Sequence, residues 1–238
     1  MNPIALEDLC WAAIDFESAG TAPGETDCPV QIGIVRVEKL FSGSPRLFTS
    51  YIACQRPVRW SAARVHGITT DTLKGAPAYA ELWPQIRDLL RGAVVLGHNP
   101  ATEKRFLNQF PGHGFGPWVD TLALARQAAP DLPDHALSTV CEALGITDTV
   151  TALVRDAAHA RWHDALYDAA GSLQLLRTLI TALSMQRCTL RDISSPSANN
   201  LDKKQALRHI SELFCNHAAP GGAALASHSA FCVLKSAF

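Results

Sequence analysis

Three strand-like runs follow one another before any helical periodicity begins, and that order narrows the folds open to this chain. Residues 11–17, 30–38 and 47–53 are rich in apolar and β-branched side chains, and the second run largely alternates. Short connections between them suggest an antiparallel meander. The pattern then changes. Residues 78–90 place Leu82, Ile86, Leu89 and Leu90 at helical spacing, residues 93–96 read as a short buried strand, and a helix is expected over 101–110. A very short strand at Trp118 and Val119 follows, then helices over 122–127 and 137–144 and a long helix over 164–184. Residues 57–70 look irregular, with Thr70 or Asp71 capping a short helix just beyond them. An antiparallel start followed by alternating helices and strands predicts an α/β fold, a mixed five-stranded sheet flanked by helices.

Composition enters through what it excludes. With 238 residues, 47% hydrophobic and 18% charged, the chain can bury a sizeable core. No apolar run approaches the roughly 18 residues of a membrane span, so no membrane partner is expected. The first residues show no basic-then-apolar secretory pattern. Seven scattered cysteines with no C-x-x-C pair suggest reduced thiols and a cytoplasmic location. The net charge is −1, but it is unevenly placed: after Leu183 there are six bases against three acids, and up to Leu183 fifteen bases against nineteen acids. An acidic body that bound nucleic acid would need bound cations or a local basic rim.

The same reading divides the chain into a domain over residues 1–184, a linker over 185–200 and a C-terminal appendage over 201–238. The linker rests on the Ser-, Pro- and Asn-rich stretch 193–200. Residues 201–217 could form one amphipathic helix with Leu207, Ile210, Leu213 and Phe214 apolar, and the rest is small-residue rich. The basic balance of this appendage suits a protein or nucleic-acid contact. His209, Cys215, His217, His228 and Cys232 are zinc-ligand types, but their spacing matches no finger pattern.

Chemistry concentrates in three places. In Ala13-Ile14-Asp15-Phe16-Glu17-Ser18, Asp15 and Glu17 share one face of the first strand and Phe16 takes the other. Two like charges at the end of a buried strand are driven toward protonation unless a cation neutralises them, and a hard divalent ion such as Mg²⁺ suits oxygen ligands. A strand end with two solvated acids is the plain alternative. The second place is Glu103, four residues after Asn99. The third is His163 and Asp168, five residues apart. On one continuous helix they would sit roughly 140° apart, so they converge only if His163 precedes the helix and Asp164 caps it.

Taken together these residues resemble a known family, the DEDD-type 3′→5′ exonucleases of the RNase H-like superfamily, in the subgroup whose general base is a histidine (DEDDh). Asp15-Phe16-Glu17 is similar to its D-x-E motif. Gly97-His98-Asn99 through Phe106-Leu107 is similar to H-N-x-x-x-D-x-x-F-L, and His163 through Asp168 to H-x-A-x-x-D. Gln31-Ile32-Gly33, Val65-His66-Gly67-Ile68-Thr69, Val119-Asp120-Thr121 and the run 137–141 resemble further landmarks. The likeness covers about residues 9–184. It departs at Glu103, where the family has aspartate, at Thr102 in place of an aromatic, and at Ser18 and Ala19 in place of two threonines.

The resemblance implies an RNase H-like fold and hydrolysis of phosphodiester bonds at nucleic-acid 3′ ends with release of nucleoside monophosphates. It implies two divalent cations, Mg²⁺ or Mn²⁺, held by Asp15, Glu17, Glu103 and Asp168, with His163 as the base. It places His66 and Ile68 in the pocket of the terminal nucleotide, where the alternative is a loop that simply packs Val65 and Ile68. Phe16, Ser18 and Asn99 are further substrate-pocket candidates, Asn99 equally a structural amide. DNA is expected ahead of RNA, in trimming or repair. The alternatives are a proofreading subunit bound to a polymerase and a binding module whose catalysis Glu103 has impaired.

Overall fold

The computed structural model describes residues 4–130, 132–155 and 161–194. Its strands are β1 (Trp11–Ser18), β2 (Pro29–Val37), β3 (Arg46–Tyr51), β4 (Val94–Gly97) and β5 (Trp118–Asp120). Its helices are α1 (Trp60–His66), α2 (Trp83–Leu90), α3 (Ala101–Leu107), α4 (Thr121–Ala128), α5 (Leu137–Ala143), α6 (Thr147–Leu153), α7 (Ala165–Ala182) and α8 (Leu190–Ser194). Short 3-10 turns precede β1 at Leu6–Asp8 and α2 at Tyr79–Leu82. The five strands form one sheet in the order β3-β2-β1-β4-β5. β1 to β3 are antiparallel, and β4 and β5 run parallel to β1.

The central place of β1 explains its sequence. A strand paired on both edges and covered on both faces reads as a continuous apolar run, and Trp11 to Ile14 are all buried. The two faces then separate by period two. Trp11 and Ala13 join Val35, Leu96 and the α7 side chains Leu166, Ala170 and Leu173. Ala12, Ile14 and Phe16 join Ile32, Ile34, Ile86 of α2 and Phe106 of α3. Asp15 and Glu17 continue the α7 face beyond the apolar residues. The sheet end that carries them is therefore where β1 outruns its hydrophobic cover.

Three expectations need correction. The expected irregular stretch 57–70 contains α1, which a left-handed Gly67 (φ 75) terminates. The helix expected after Thr70 or Asp71 is instead a set of turns, with the Lys74 amide donating to the Asp71 carbonyl and the Thr72 amide to the Thr69 hydroxyl. Threonine side chains take the backbone groups a helix would need. Residues 185–194, expected as linker, fold onto the domain. Met185 is buried, the Leu6 amide donates to the Cys188 carbonyl, and α8 packs beside them. The remainder of the expected linker and appendage, with its zinc-type residues and the 201–217 helix, lies outside the described residues.

Candidate active site

The first acidic pair is set by β1. Asp15 lies opposite Gly33 and Glu17 opposite Gln31 in the antiparallel register with β2. Burial raises the Asp15 carboxyl well above the usual range, and Asp168, Glu103 and Glu17 push it the same way. Glu17 is pushed up to about 8, first by burial and then by Asp168, Asp164 and Glu103. Both acids thus feel the negative charge of Asp168 and Glu103.

Asp168 and His163 arrive from the start of α7, and the sequence builds that start with care. Asp164 caps the helix: one carboxylate oxygen accepts from the amides of Leu166 (3.1 Å) and Tyr167 (3.4 Å). Its other oxygen accepts from the Gln31 side-chain amide at 2.8 Å, and the Gln31 carbonyl oxygen accepts from the Ala165 amide at 3.2 Å. Gln31 and Asp164 are both buried polar groups, so this clamp satisfies them while fixing α7 to β2. Residue 33 must be glycine for the same reason: a Cβ there would collide with the Ala165 carbonyl and the Leu166 nitrogen.

His163 stands just before the cap in a left-handed conformation (φ 62). Its amide donates to Asp168 Oδ2 at 3.3 Å, and the residue is exposed. Ligand atoms of Glu17, His163 and Asp168 all lie within 4.8 Å of one another. Asp168 is pushed up to about 7, mainly by burial, against the lowering effect of the His163 amide. Its Oδ1 is buried with no hydrogen-bond partner.

Glu103 sits in the first turn of α3, 4% exposed. Burial pushes it up to about 7, opposed by its own and the Phe16 backbone amides and by Arg105. The turn into α3 is fixed by Asn99, left-handed at φ 63, whose amide donates to Asp120 Oδ1 at 3.0 Å. That same oxygen caps α4 through Leu122. Glu103 does not belong to the tightest group of Glu17, His163 and Asp168, but its charge adds to the upward push on Asp15 and Glu17.

The donor set fits hard divalent cations. Oxygen ligands dominate, the acids repel one another, and one buried carboxylate oxygen of Asp168 has no hydrogen-bond partner. Asp15, Glu17, Glu103 and Asp168 would hold such ions.

The substrate-pocket candidates behave differently. Phe16 is 5% exposed and packs edge-on against Tyr79 and Phe106, with centroids 5.8 and 5.4 Å away, because period two turns it from the acids. Ile68 is buried with Ala19, Val30 and Leu73. His66 is buried and its Nδ1 accepts from the Ile68 amide, so its Nε2 donates to the Ser18 carbonyl at 3.0 Å. Burial holds this ring below the ordinary histidine range. These three side chains are buried in the fold. Ser18 offers its carbonyl to His66, and Asn99 is exposed at the rim. Arg161, to which the sequence gave no role, donates its guanidinium to the His66 carbonyl at 2.9 Å, and Gln31, read there only as part of a landmark, is a buried amide in a mostly apolar strand.

Comparison with known proteins gives this geometry its family. The model of the family described as Exonuclease matches residues 12–176, well over half of the chain. The chain belongs to the exonuclease family. The exonuclease match spans every acid described above and His163. A DNA polymerase III subunit epsilon-like protein of Rhodobacter capsulatus is 29% identical over 178 residues, which is 73% of this chain but only 25% of that protein. The DNA polymerase III subunit epsilon of Pasteurella multocida is 28% identical over 196 residues, 77% of this chain and 71% of that one. Exonuclease X, solved in complex with 5′ overhanging duplex DNA, superimposes with a TM-score of 0.56 at 21% identity over 78% of this chain and 99% of its own. At that identity the shared feature is the fold. Among the described residues, no helix is long and apolar enough to cross a membrane.

Proposed function

We propose that this member of the exonuclease family is a metal-dependent 3′→5′ exonuclease that removes nucleoside monophosphates from nucleic-acid 3′ ends, DNA ahead of RNA, in the cytoplasm. The observation that carries the reading is that ligand atoms of Glu17, His163 and Asp168 lie within 4.8 Å of one another while a buried Asp168 oxygen lacks a hydrogen-bond partner. A fold holds mutually repelling acids where a cation is meant to sit.

Two divalent cations, Mg²⁺ or Mn²⁺, would supply charge neutralisation and a water acidic enough to attack at neutral pH. Asp15 would be one of their carboxylate ligands. Glu17 and Asp168, whose carboxylates lie beside His163, would be ligands as well, and Glu103 would add a fourth carboxylate. His163 takes the attacking water's proton on a ring nitrogen and passes it to solvent, which its exposed ring allows. Its backbone amide meanwhile keeps Asp168 aligned.

Digestion of oligonucleotides labelled at one end tests the reading. Label at the 5′ end should yield a ladder shortening from the 3′ end with Mg²⁺ or Mn²⁺ and nothing with EDTA. No metal-dependent shortening would reduce the chain to a binding module. The coverage of most of the Pasteurella multocida epsilon subunit favours a second reading, a proofreading subunit held by a polymerase through residues beyond the domain. Co-purification with a polymerase separates the two.

A further inference from the structure

β2 and β3 part company at one end of the sheet, and two thiols meet there. The strands pair antiparallel with Gln31 opposite Tyr51, and the Ile52 amide still donates to the Val30 carbonyl at 2.9 Å. Two residues further along each chain stand Cys28 and Cys54, so the same register, carried on, sets them opposite each other. Opposite residues of an antiparallel pair have Cα atoms about 4.5–5.5 Å apart, a span that a disulfide bridges. The packing agrees: both cysteines lie against one small cluster of Ala19, Val30, Ile68 and Leu73. Burial pushes the Cys28 thiol up to about 12, and the adjacent Cys54 thiol adds to the push.

Among the described residues, the other cysteines are placed apart. Cys141 belongs to the core shared by α5 and α7, Cys188 packs on the core around Met185, and Cys10 packs on the core that holds Ile86. None of these three shares a cluster with a second cysteine. Cys28 and Cys54 are both partly exposed, so a small reagent can reach them. The backbone around Cys28 is already held. Its carbonyl accepts from the Ala19 amide at 2.9 Å, its amide donates to Asp27 Oδ1 at 2.8 Å, and Asp27 is gripped by Arg105 and Arg56.

We propose that Cys28 and Cys54 form a reversible modification site, closed to an intramolecular disulfide by low-molecular-weight disulfides such as oxidised glutathione. Closure proceeds by exchange. The Cys54 thiolate attacks one sulfur of the small disulfide, a mixed disulfide forms, and the departing thiolate takes a proton from water. Cys28 then gives its proton to solvent, and its sulfur attacks the Cys54 sulfur and expels the second small thiol. Two protein thiols are oxidised, and one small disulfide is reduced to two thiols. Cys28, held protonated, suits the second step, where the sulfur it attacks is already beside it. A reducing compartment keeps the pair open, and a disulfide at a partly exposed site is of the labile kind. Closing the loop over the 25 intervening residues restricts the unfolded chain, so the oxidised form is the more stable one. None of the acids of the candidate active site takes part.

The test incubates the full chain with mixtures of reduced and oxidised glutathione and then blocks free thiols with N-ethylmaleimide. Trypsin and Glu-C together cut between Cys10 and Cys28 and between Cys28 and Cys54. Mass spectrometry should find the Cys28 and Cys54 peptides joined, increasingly so as the oxidised share grows, and dithiothreitol should separate them. The melting temperature should rise by roughly 5–10 °C on oxidation. Cys54→Ser and Cys28→Ser should each lose both the link and the rise. Every variant is compared with its own reduced form, so a change in starting stability does not mimic the effect. No joined peptide at any glutathione ratio, links that run mainly to other cysteines or between chains, or a rise that survives in Cys54→Ser would overturn the proposal.

Discussion

Gly33 on β2 lies directly against the first peptide of α7, so that the Ala165 carbonyl occupies the space a side chain at residue 33 would take. The sheet and the helix that delivers Asp168 meet there backbone to backbone. Gly33→Ala must push the helix start away, and overpacking of this kind costs about 1–3 kcal/mol or more. The expected result is a melting temperature lower by several degrees, at about 2–4 °C per kcal/mol for a domain of this size. An unchanged melting temperature would mean that α7 is not seated on Gly33.

The Gln31–Asp164 clamp predicts a different signature. Gln31→Leu leaves Asp164 Oδ2 and the Ala165 amide without these partners in a buried place, at about 1–3 kcal/mol. It also loosens the turn that aligns His163 and Asp168. Turnover should therefore fall with little change in KM. A rise in KM at constant turnover would assign Gln31 to strand binding.

The acids themselves give a pH-dependent prediction. Glu17 is raised to about 8, Glu103 and Asp168 to about 7, from ordinary values near 4. The folded state therefore binds more protons than the unfolded one between those limits. Metal-free stability is complete at the acid end of the window and is lost as pH rises from about 4 through about 8. In EDTA the melting temperature should fall between pH 5 and pH 8.5, and Mg²⁺ or Mn²⁺ should recover it. Asp168→Asn should abolish hydrolysis yet melt no lower than wild type at the alkaline end. A melting temperature that is flat with pH in EDTA, or full activity in Asp168→Asn, would remove the cluster's metal role.

Glu103 offers the sharpest chemical comparison. It keeps the charge of an aspartate but carries it about one bond length further, and Mg²⁺ enforces near-octahedral geometry at roughly 2.0–2.1 Å. Glu103→Asp should stay active with a lower Mn²⁺-to-Mg²⁺ rate ratio. Glu103→Gln preserves the shape without the charge and should lose far more. Initial rates of 3′-end digestion in each metal decide it; a Gln variant as fast as wild type would leave a three-acid site with His163.

The fold was legible wherever burial repeats with a period. The three opening strands, β4, α2 and α7 all announce themselves, and the spacing of His163 and Asp168 already required Asp164 as a cap. What stayed hidden depends on contacts between distant residues. α1 has no apolar stripe, since Trp60 and Val65 both face water. α6 is seven residues carrying one fully buried side chain, Val150. Phe16 and Ile68 are buried by neighbours that lie far away in the sequence, Phe106 and Val30 among them. The clamp between residues 31 and 164 is a long-range pair of the same kind. The polar identity of Gln31 hinted at it, but only the fold shows the partner.

The eighteen residues of α7 also act as a ruler. At about 1.5 Å per residue they place roughly 27 Å between the end that carries Asp168 and the end where Met185, α8 and the Leu6 turn close over the opposite pole of the sheet. That pole is a handle. A surface, a fluorophore or a fused protein attached there would grip the molecule at the far side and leave the mouth of the cleft turned outward, free to take a strand end.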